Sequence, residues 1–162
     1  MTTPARERSV PDLSFMLAHA AHVLATRMTA AFAEIGITPR EYCVLYHAAS
    51  AELTQIELAR ASDLDKTTMV VTLDGLEEAG YVERRPSRAD RRARVIAVTA
   101  EGKRLVAAGH EIADRVHAEV LAELSPASRG VFADSLGQLV SGLLAEPVTC
   151  ERPVRRARRP TG

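Results

Sequence analysis

Tryptophan is absent from this chain of 162 residues, and aromatic side chains make up only 4% of it. There are two cysteines, Cys43 and Cys150, and no C-x-x-C pair, so neither a disulfide framework nor a paired-thiol motif is available. No apolar run approaches the roughly 20 residues that a membrane span needs, and no membrane partner is expected. The amino-terminal stretch MTTPARERSVPDL has no apolar signal core, which makes a cytoplasmic protein the expectation. A nucleophile elbow, a P-loop, a Rossmann glycine pattern and a metal-protease helix are all missing, so no enzyme is expected. No internal repeat is visible. The 21 basic and 21 acidic side chains cancel, but they are unevenly spread. A stretch near residue 90 and the tail after Cys150 are basic, and the remainder is mildly acidic. Zero net charge therefore excludes no polyanionic partner, because the local patch decides.

What the chain does have is alanine, leucine and helical periodicity. The stretch from Leu53 to Leu105 organises the rest. Thr54 followed by Glu57 is a capping box, and Ile56, Leu58 and Ala59 give the helix behind it an apolar side. Ser62, Asp63 and Leu64 turn the chain, and Asp65 is placed to cap a second helix from about Lys66 to Ala79. Met69, Leu73 and Leu76 share one face of it, while Thr67, Val71 and Asp74 point the other way with Val70 beside them. Gly80 stops it. Strands are expected at Tyr81–Glu83 and Val95–Val98. Between them, residues 84–94 hold six arginines (Arg84, Arg85, Arg88, Arg91, Arg92 and Arg94) and one acid, Asp90. Such a tip cannot form a core. Held near a duplex it neutralises phosphates and enters the minor groove, with Asp90 fixing a neighbouring arginine through a bidentate pair. The preceding helix offers Lys66, Thr67 and Thr68 at its open end. Lysine reaches phosphate or guanine, hydroxyls bond either, and valine methyls pack on thymine methyls. The fold expected is mainly α with a small β-wing, a winged helix-turn-helix, and the partner expected is double-stranded DNA. The residues expected at the DNA are Gln55, Lys66, Thr67, Thr68, Val70, Val71, Arg84, Arg85, Arg88, Asp90, Arg91, Arg92 and Arg94.

The flanks are helical. Asp12 opens a helix to about Ile35 with a wide apolar stripe (Phe15, Met16, Ala20, Val23, Leu24, Met28, Ala31, Phe32), more than a small winged domain can cover. Thr38-Pro39-Arg40-Glu41 combines a capping box with proline at the first helical position, for a helix to about Ser50. Thr99 caps a helix to about Leu124, and Ser125-Pro126 starts a last helix to about Ala145. Terminal helices this apolar predict a homodimer. The expected organisation is a loose arm at 1–11, a dimerisation region at 12–37 and 100–145, the winged domain at 38–99, and a basic, disordered tail at 146–162.

The runs LDKTTMVV and LEEAGYVERRPSRADRRARVIAVTAEGKRL resemble the MarR family of bacterial transcription regulators. Asp65, Lys66, Thr67, Thr68, Leu76, Glu77, Gly80, Val82, Arg84, Asp90, Arg92, Thr99 and Gly102 sit where its pattern D-K-S/T-T, L-E-x-x-G, V-x-R, D-x-R, L-T-x-x-G places them. One departure stands at Val70 and Val71, where the family usually carries a polar pair, often Ser-Arg. The resemblance implies an intertwined homodimer on a near-palindromic operator, acting as a repressor that a ligand releases. It also implies a pocket between the dimer helices and the winged domain for a phenolic or other aromatic carboxylate. His19, His22, Tyr42, Tyr46 and His47 are the polar groups on the first two helices that could line it. Two alternatives remain: a cysteine-based redox sensor of the same fold, with Cys43 as its thiol, and an interaction module that kept the fold without DNA binding. The five histidines form no tight ligand cluster, so neither metal nor cofactor is expected.

Overall fold

A computed structural model describes residues 12–87 and 92–148. Asp12 caps α1 (Leu13–Phe32) by accepting from the Phe15 amide at 3.1 Å, and a 3-10 turn, Ala33–Ile35, continues it to Gly36. Helix α2 (Pro39–Ser50) starts at a complete capping box between Thr38 and Glu41. A two-residue strand β1 (Leu53–Thr54) runs directly into α3 (Gln55–Ala61), which Thr54 and Glu57 cap reciprocally. Asp63, at φ 52, ends α3 in the left-handed region that short polar side chains tolerate. Next come α4 (Lys66–Glu78), β2 (Val82–Pro86), β3 (Arg94–Val98), α5 (Ala100–Ala122) and α6 (Pro126–Ser141). The sheet is antiparallel in the order β1-β3-β2, with Leu53 opposite Ile96 and Val82 opposite Val98.

Four details differ from expectation. Leu53, expected to end a turn with Ala51 and Glu52, instead forms a two-residue strand with the cap residue Thr54, because it completes the free edge of β3. The hairpin strands are longer than expected, so Arg84, Arg85 and Arg94 belong to the ladder rather than to the tip. Ser125 makes no capping bond to the backbone; its hydroxyl meets that of Ser128 at 2.7 Å. Helix α6 ends at Ser141, ahead of Ala145.

The chain falls into two compact units, Met1–Glu119 and Val120–Gly162. The core of the first includes Phe32, Val44, Leu45, Leu58, Met69, Leu73, Leu76, Val82, Ile96 and Ile112, drawn from α1 to α5, β2 and β3 and largely at the positions that helical and strand periodicity assign inward. Gly80, at φ 75, lets the Tyr81 amide reach back to the Leu76 carbonyl at 2.9 Å and closes α4. Thr99 then locks the helix-to-strand turn. Its hydroxyl donates to the Gly80 carbonyl at 2.8 Å and accepts from the Gly102 amide at 3.1 Å, capping α5. Among the described residues no helix is long and apolar enough to cross a membrane.

The cap acids give the fold a pH signature. Bonds from the Thr54 backbone and hydroxyl hold Glu57 below its ordinary value near 4.5, and the Thr68 hydroxyl and amide hold Asp65 below 3.8. A carboxyl depressed in the folded state contributes stability above its unfolded value and loses it as pH falls through the folded one. The urea midpoint is therefore expected to be insensitive to these groups from about pH 7 to 5.5 and to fall as pH drops through about 4.5 and below. Circular dichroism melts across that range check it.

Candidate nucleic-acid interface

The open end of α4 is built around Asp65. Its carboxylate accepts from the Thr68 amide at 3.0 Å and from the Thr68 hydroxyl at 2.6 Å, so Thr68 is turned toward the cap and half-buried. Lys66 and Thr67 are exposed in the same turn, Val71 is 68% exposed one turn on, and Val70 is half-buried beside it. The opposite side of α4 is fully committed to the core through Met69, Leu73 and Leu76. Gln55 and Arg60 of α3 join Lys66 around a shallow groove of about 290 Å³ whose floor is Ala59, Leu64 and Met69. Two cationic side chains thus flank the start of α4.

The hairpin lies beside α4. Alternation along β2 places Arg84 on the same side as buried Val82, and Glu83 and Arg85 on the other. Arg84 accordingly turns to α4. Its guanidinium bonds Asp74 at 2.6 Å and pairs with Glu77, and its amide donates to Glu77 at 3.3 Å. Arg85 is exposed and pairs with Glu83, and Arg92 and Arg94 are exposed toward the tip. The Ser87 amide to the Ala93 carbonyl, 2.9 Å, extends the ladder beyond Pro86 and Arg94.

A second set of polar side chains gathers where α2 meets α5. The Tyr42 hydroxyl lies 2.9 Å from Nδ1 of His110, Tyr46 stacks on the His110 ring at 5.7 Å, and His47 stands edge-on to Tyr46 at 5.3 Å. Phe32 backs Tyr42 at 4.8 Å. Gly109 allows this packing, since a Cβ there would meet Tyr42 at 2.4 Å. Burial raises the Tyr42 phenol, helped by Tyr46, Asp114 and Cys43, so it remains a donor at neutral pH. Burial also pushes the Cys43 thiol up, against an opposing pull from the neighbouring Ser62 hydroxyl, which is itself buried without a well-formed hydrogen bond. Among the described residues no group of three His, Cys, Asp or Glu side chains converges as a metal site would require.

Residues 35–93 match the model of the MarR family. Over this stretch the chain matches the winged-helix regulators of that family. Solved structures of MarR-family proteins share its fold. CouR from Rhodococcus jostii RHA1, bound to p-coumaroyl-CoA, is 26% identical with a TM-score of 0.72, over 90% of this chain and 100% of that one. The MarR family protein Rv2887 of Mycobacterium tuberculosis, in complex with p-aminosalicylic acid, is 28% identical with a TM-score of 0.68, over 80% of this chain and 98% of that one. MarR from E. coli, at 20% identity, a TM-score of 0.72 and coverage of 82% and 99%, shows the common fold alone.

Within this winged-helix domain the structure brings Lys66, Thr67, Val70 and Val71 onto one face, with Gln55 half-buried at the start of α3 nearby. It engages the Thr68 hydroxyl and the Arg84 guanidinium internally. Arg88, Asp90 and Arg91 lie outside the described residues, as do the arm and the tail from residue 149. Tyr42, Tyr46 and His47 come together, whereas His19 and His22 are exposed on α1, where His19 stacks on Phe15 at 5.7 Å. Four participants escaped the sequence reading. Asp74 and Glu77, spaced i, i+3 on α4, hold Arg84, and strand alternation counted from Val82 is the signal that would have found them. Arg60 stands on the rim of the α3–α4 groove, and His110 completes the aromatic group; no local pattern announces either.

Proposed function

We propose that the protein is a sequence-specific DNA-binding transcriptional regulator that binds a near-palindromic operator as a homodimer and is released from it by a small aromatic carboxylate. The observation that carries this reading is the bare outer face of α4, with Lys66, Thr67 and Val71 exposed beside the arginines of the hairpin. A helix of this kind enters the major groove while the hairpin follows the phosphates. Lys66, Thr67, Val70 and Val71 would meet base edges, Gln55 and Arg60 the backbone, and Arg85, Arg92 and Arg94, with Arg88 and Arg91 of the tip, the phosphates and the minor groove. Asp90 would orient an arginine there. Arg84 and Thr68 act by holding the hairpin and the helix start in place.

Two further observations support the homodimer. Leu13, Phe15, Met16 and Val23 are exposed on α1, and Val131, Phe132, Leu139 and Val140 on α6, two apolar faces that a second copy would bury. Two recognition helices about 34–36 Å apart would then meet successive major grooves. The ligand reading rests on Tyr42, Tyr46, His47 and His110, a group with rings to stack on an aromatic acid and polar atoms to bond its carboxylate. His19 and His22 would join it if the dimer places α1 of the partner over the group. The complex of Rv2887 with p-aminosalicylic acid supports this chemical class, and the p-coumaroyl-CoA of CouR shares the phenolic ring but carries a thioester in place of the carboxylate. A thiol held protonated is a poor nucleophile, so Cys43 lends no support to the redox alternative.

The test is fluorescence anisotropy with the duplex upstream of the protein's own gene, from about 50 to 200 mM salt. Binding whose log affinity falls linearly with log salt is expected. Replacing Arg92 and Arg94 together by alanine should reduce that slope by about 2, and millimolar salicylate should release the wild type. No binding at low salt overturns the reading.

A further inference from the structure

Resting on that reading, we propose that α4 recognises its half-site chiefly through thymine methyl groups, with Val71 as the principal contact. Val71 is the most exposed large apolar side chain on α3, α4 and the hairpin, at 68%. It is β-branched, on a helix surface that a polar residue with better helix propensity would occupy at no cost to the core. Thr67 and Val71 stand one turn apart, so their methyl groups form a short apolar strip on the side that faces away from Met69, Leu73 and Leu76. Val70 continues the strip at its edge.

The other chemistries of base reading are thin on this helix. From Lys66 to Glu78 there is no arginine, asparagine or glutamine, the side chains that form bidentate pairs with guanine or adenine. Lys66 alone can reach a guanine. The Thr68 hydroxyl is bound to Asp65. Asp74, the next residue along the strip and the acceptor that could take a cytosine amino group, has its carboxylate bonded by Arg84 at 2.6 Å. Beside the Lys66 ammonium and the Thr67 hydroxyl, the exposed strip is made of methyl groups, and in the major groove the only methyl group of an unmodified base pair is the C5 methyl of thymine. The half-site that fits is therefore one with thymines opposite Val71 and Thr67, on either strand, with phosphate contacts supplying most of the affinity and methyl packing most of the discrimination.

The experiment selects duplexes from a random-sequence library with the full-length protein, then remakes an enriched duplex with deoxyuridine in place of each thymine in turn. That exchange removes one methyl and nothing else. Affinity is expected to fall about three- to fivefold at one or two thymines of each half-site, and Val71→Ala, an exposed change that favours the helix, should lose most of that discrimination at one of them while keeping any that Thr67 supplies. Enrichment of duplexes whose affinity ignores every methyl overturns this inference and leaves the DNA-binding reading standing. Val71→Ala that keeps the full discrimination overturns it as well. Failure to enrich any duplex overturns both readings together.

Discussion

Replacing Gly102 by alanine is expected to destabilise the winged domain by about 3 kcal/mol, the upper end of the range for a forced methyl in a packed interior. A Cβ at this position would stand 2.2 Å from the Tyr81 carbonyl oxygen and 2.7 Å from Cγ1 of Val98. The first of these is backbone and cannot rotate away. It is held at both ends, since the Tyr81 amide bonds Leu76 and its carbonyl accepts from the Thr99 amide at 3.0 Å. To admit the methyl, α5 must lift from the α4–β2 turn, which breaks the Thr99 latch that caps α5 and ties it to Gly80. Gly75 is the control, because nothing lies within 4 Å of a Cβ built there. Gly75→Ala should stabilise by up to about 1 kcal/mol through helix propensity alone. Urea unfolding of the two variants therefore moves in opposite directions from the wild type. Equal midpoints for Gly102→Ala and Gly75→Ala would show that the close approach of α5 to the turn is not what the glycine serves.

The contrast between those two glycines shows where the sequence is legible. Helix starts are written in adjacent residues: Thr38 with Glu41, Thr54 with Glu57, and Asp65 with Thr68 each form the bonds that their spacing predicts. The inward face of α4 follows from period alone, because a helix has one way to place Met69, Leu73 and Leu76 together. Pairing between distant segments is not written this way. Leu53–Thr54 carries no strand pattern of its own and becomes a strand only because β3 has an edge to offer. Arg84 reads, by composition, as one of six arginines in a basic tip. Its fate is set by the parity of its position on β2 and by two acids seven and ten residues earlier. His110 meets Tyr42 from 68 residues away, a distance over which no local rule operates. The exposed stripes of α1 and α6 are legible as unsatisfied surface, and what covers them is not encoded in their period.

Arg84→Ala should weaken DNA binding about tenfold while lowering stability by only about 1 kcal/mol, since its two ion pairs are partly solvated (side-chain exposure 31% against 58% and 38%) and such pairs contribute modestly to folding. The large effect on binding has two sources. Removing the guanidinium uncovers the carboxylates of Asp74 and Glu77 on the helix proposed to enter the DNA, and like charge brought close to a polyanion raises the cost of association. It also frees the root of the hairpin from α4, so the arginines beyond it must be ordered anew at each encounter, at an entropic cost that the intact clamp has already met in folding. Arg84→Lys separates the two. Its single ammonium keeps the charge but cannot fork to both acids and bond the strand to the helix as a planar guanidinium does, so an intermediate loss of about threefold is expected. Adding Asp74→Asn to Arg84→Ala should recover the part of the electrostatic share that Asp74 carries and leave the Glu77 part and the ordering share in place. Anisotropy titrations at a fixed salt, about 100 mM, with urea melts of the same preparations, check the set. An affinity unchanged in Arg84→Ala, or a loss that merely follows the fraction unfolded, would show that the clamp between strand and recognition helix has no part in presenting the hairpin to DNA.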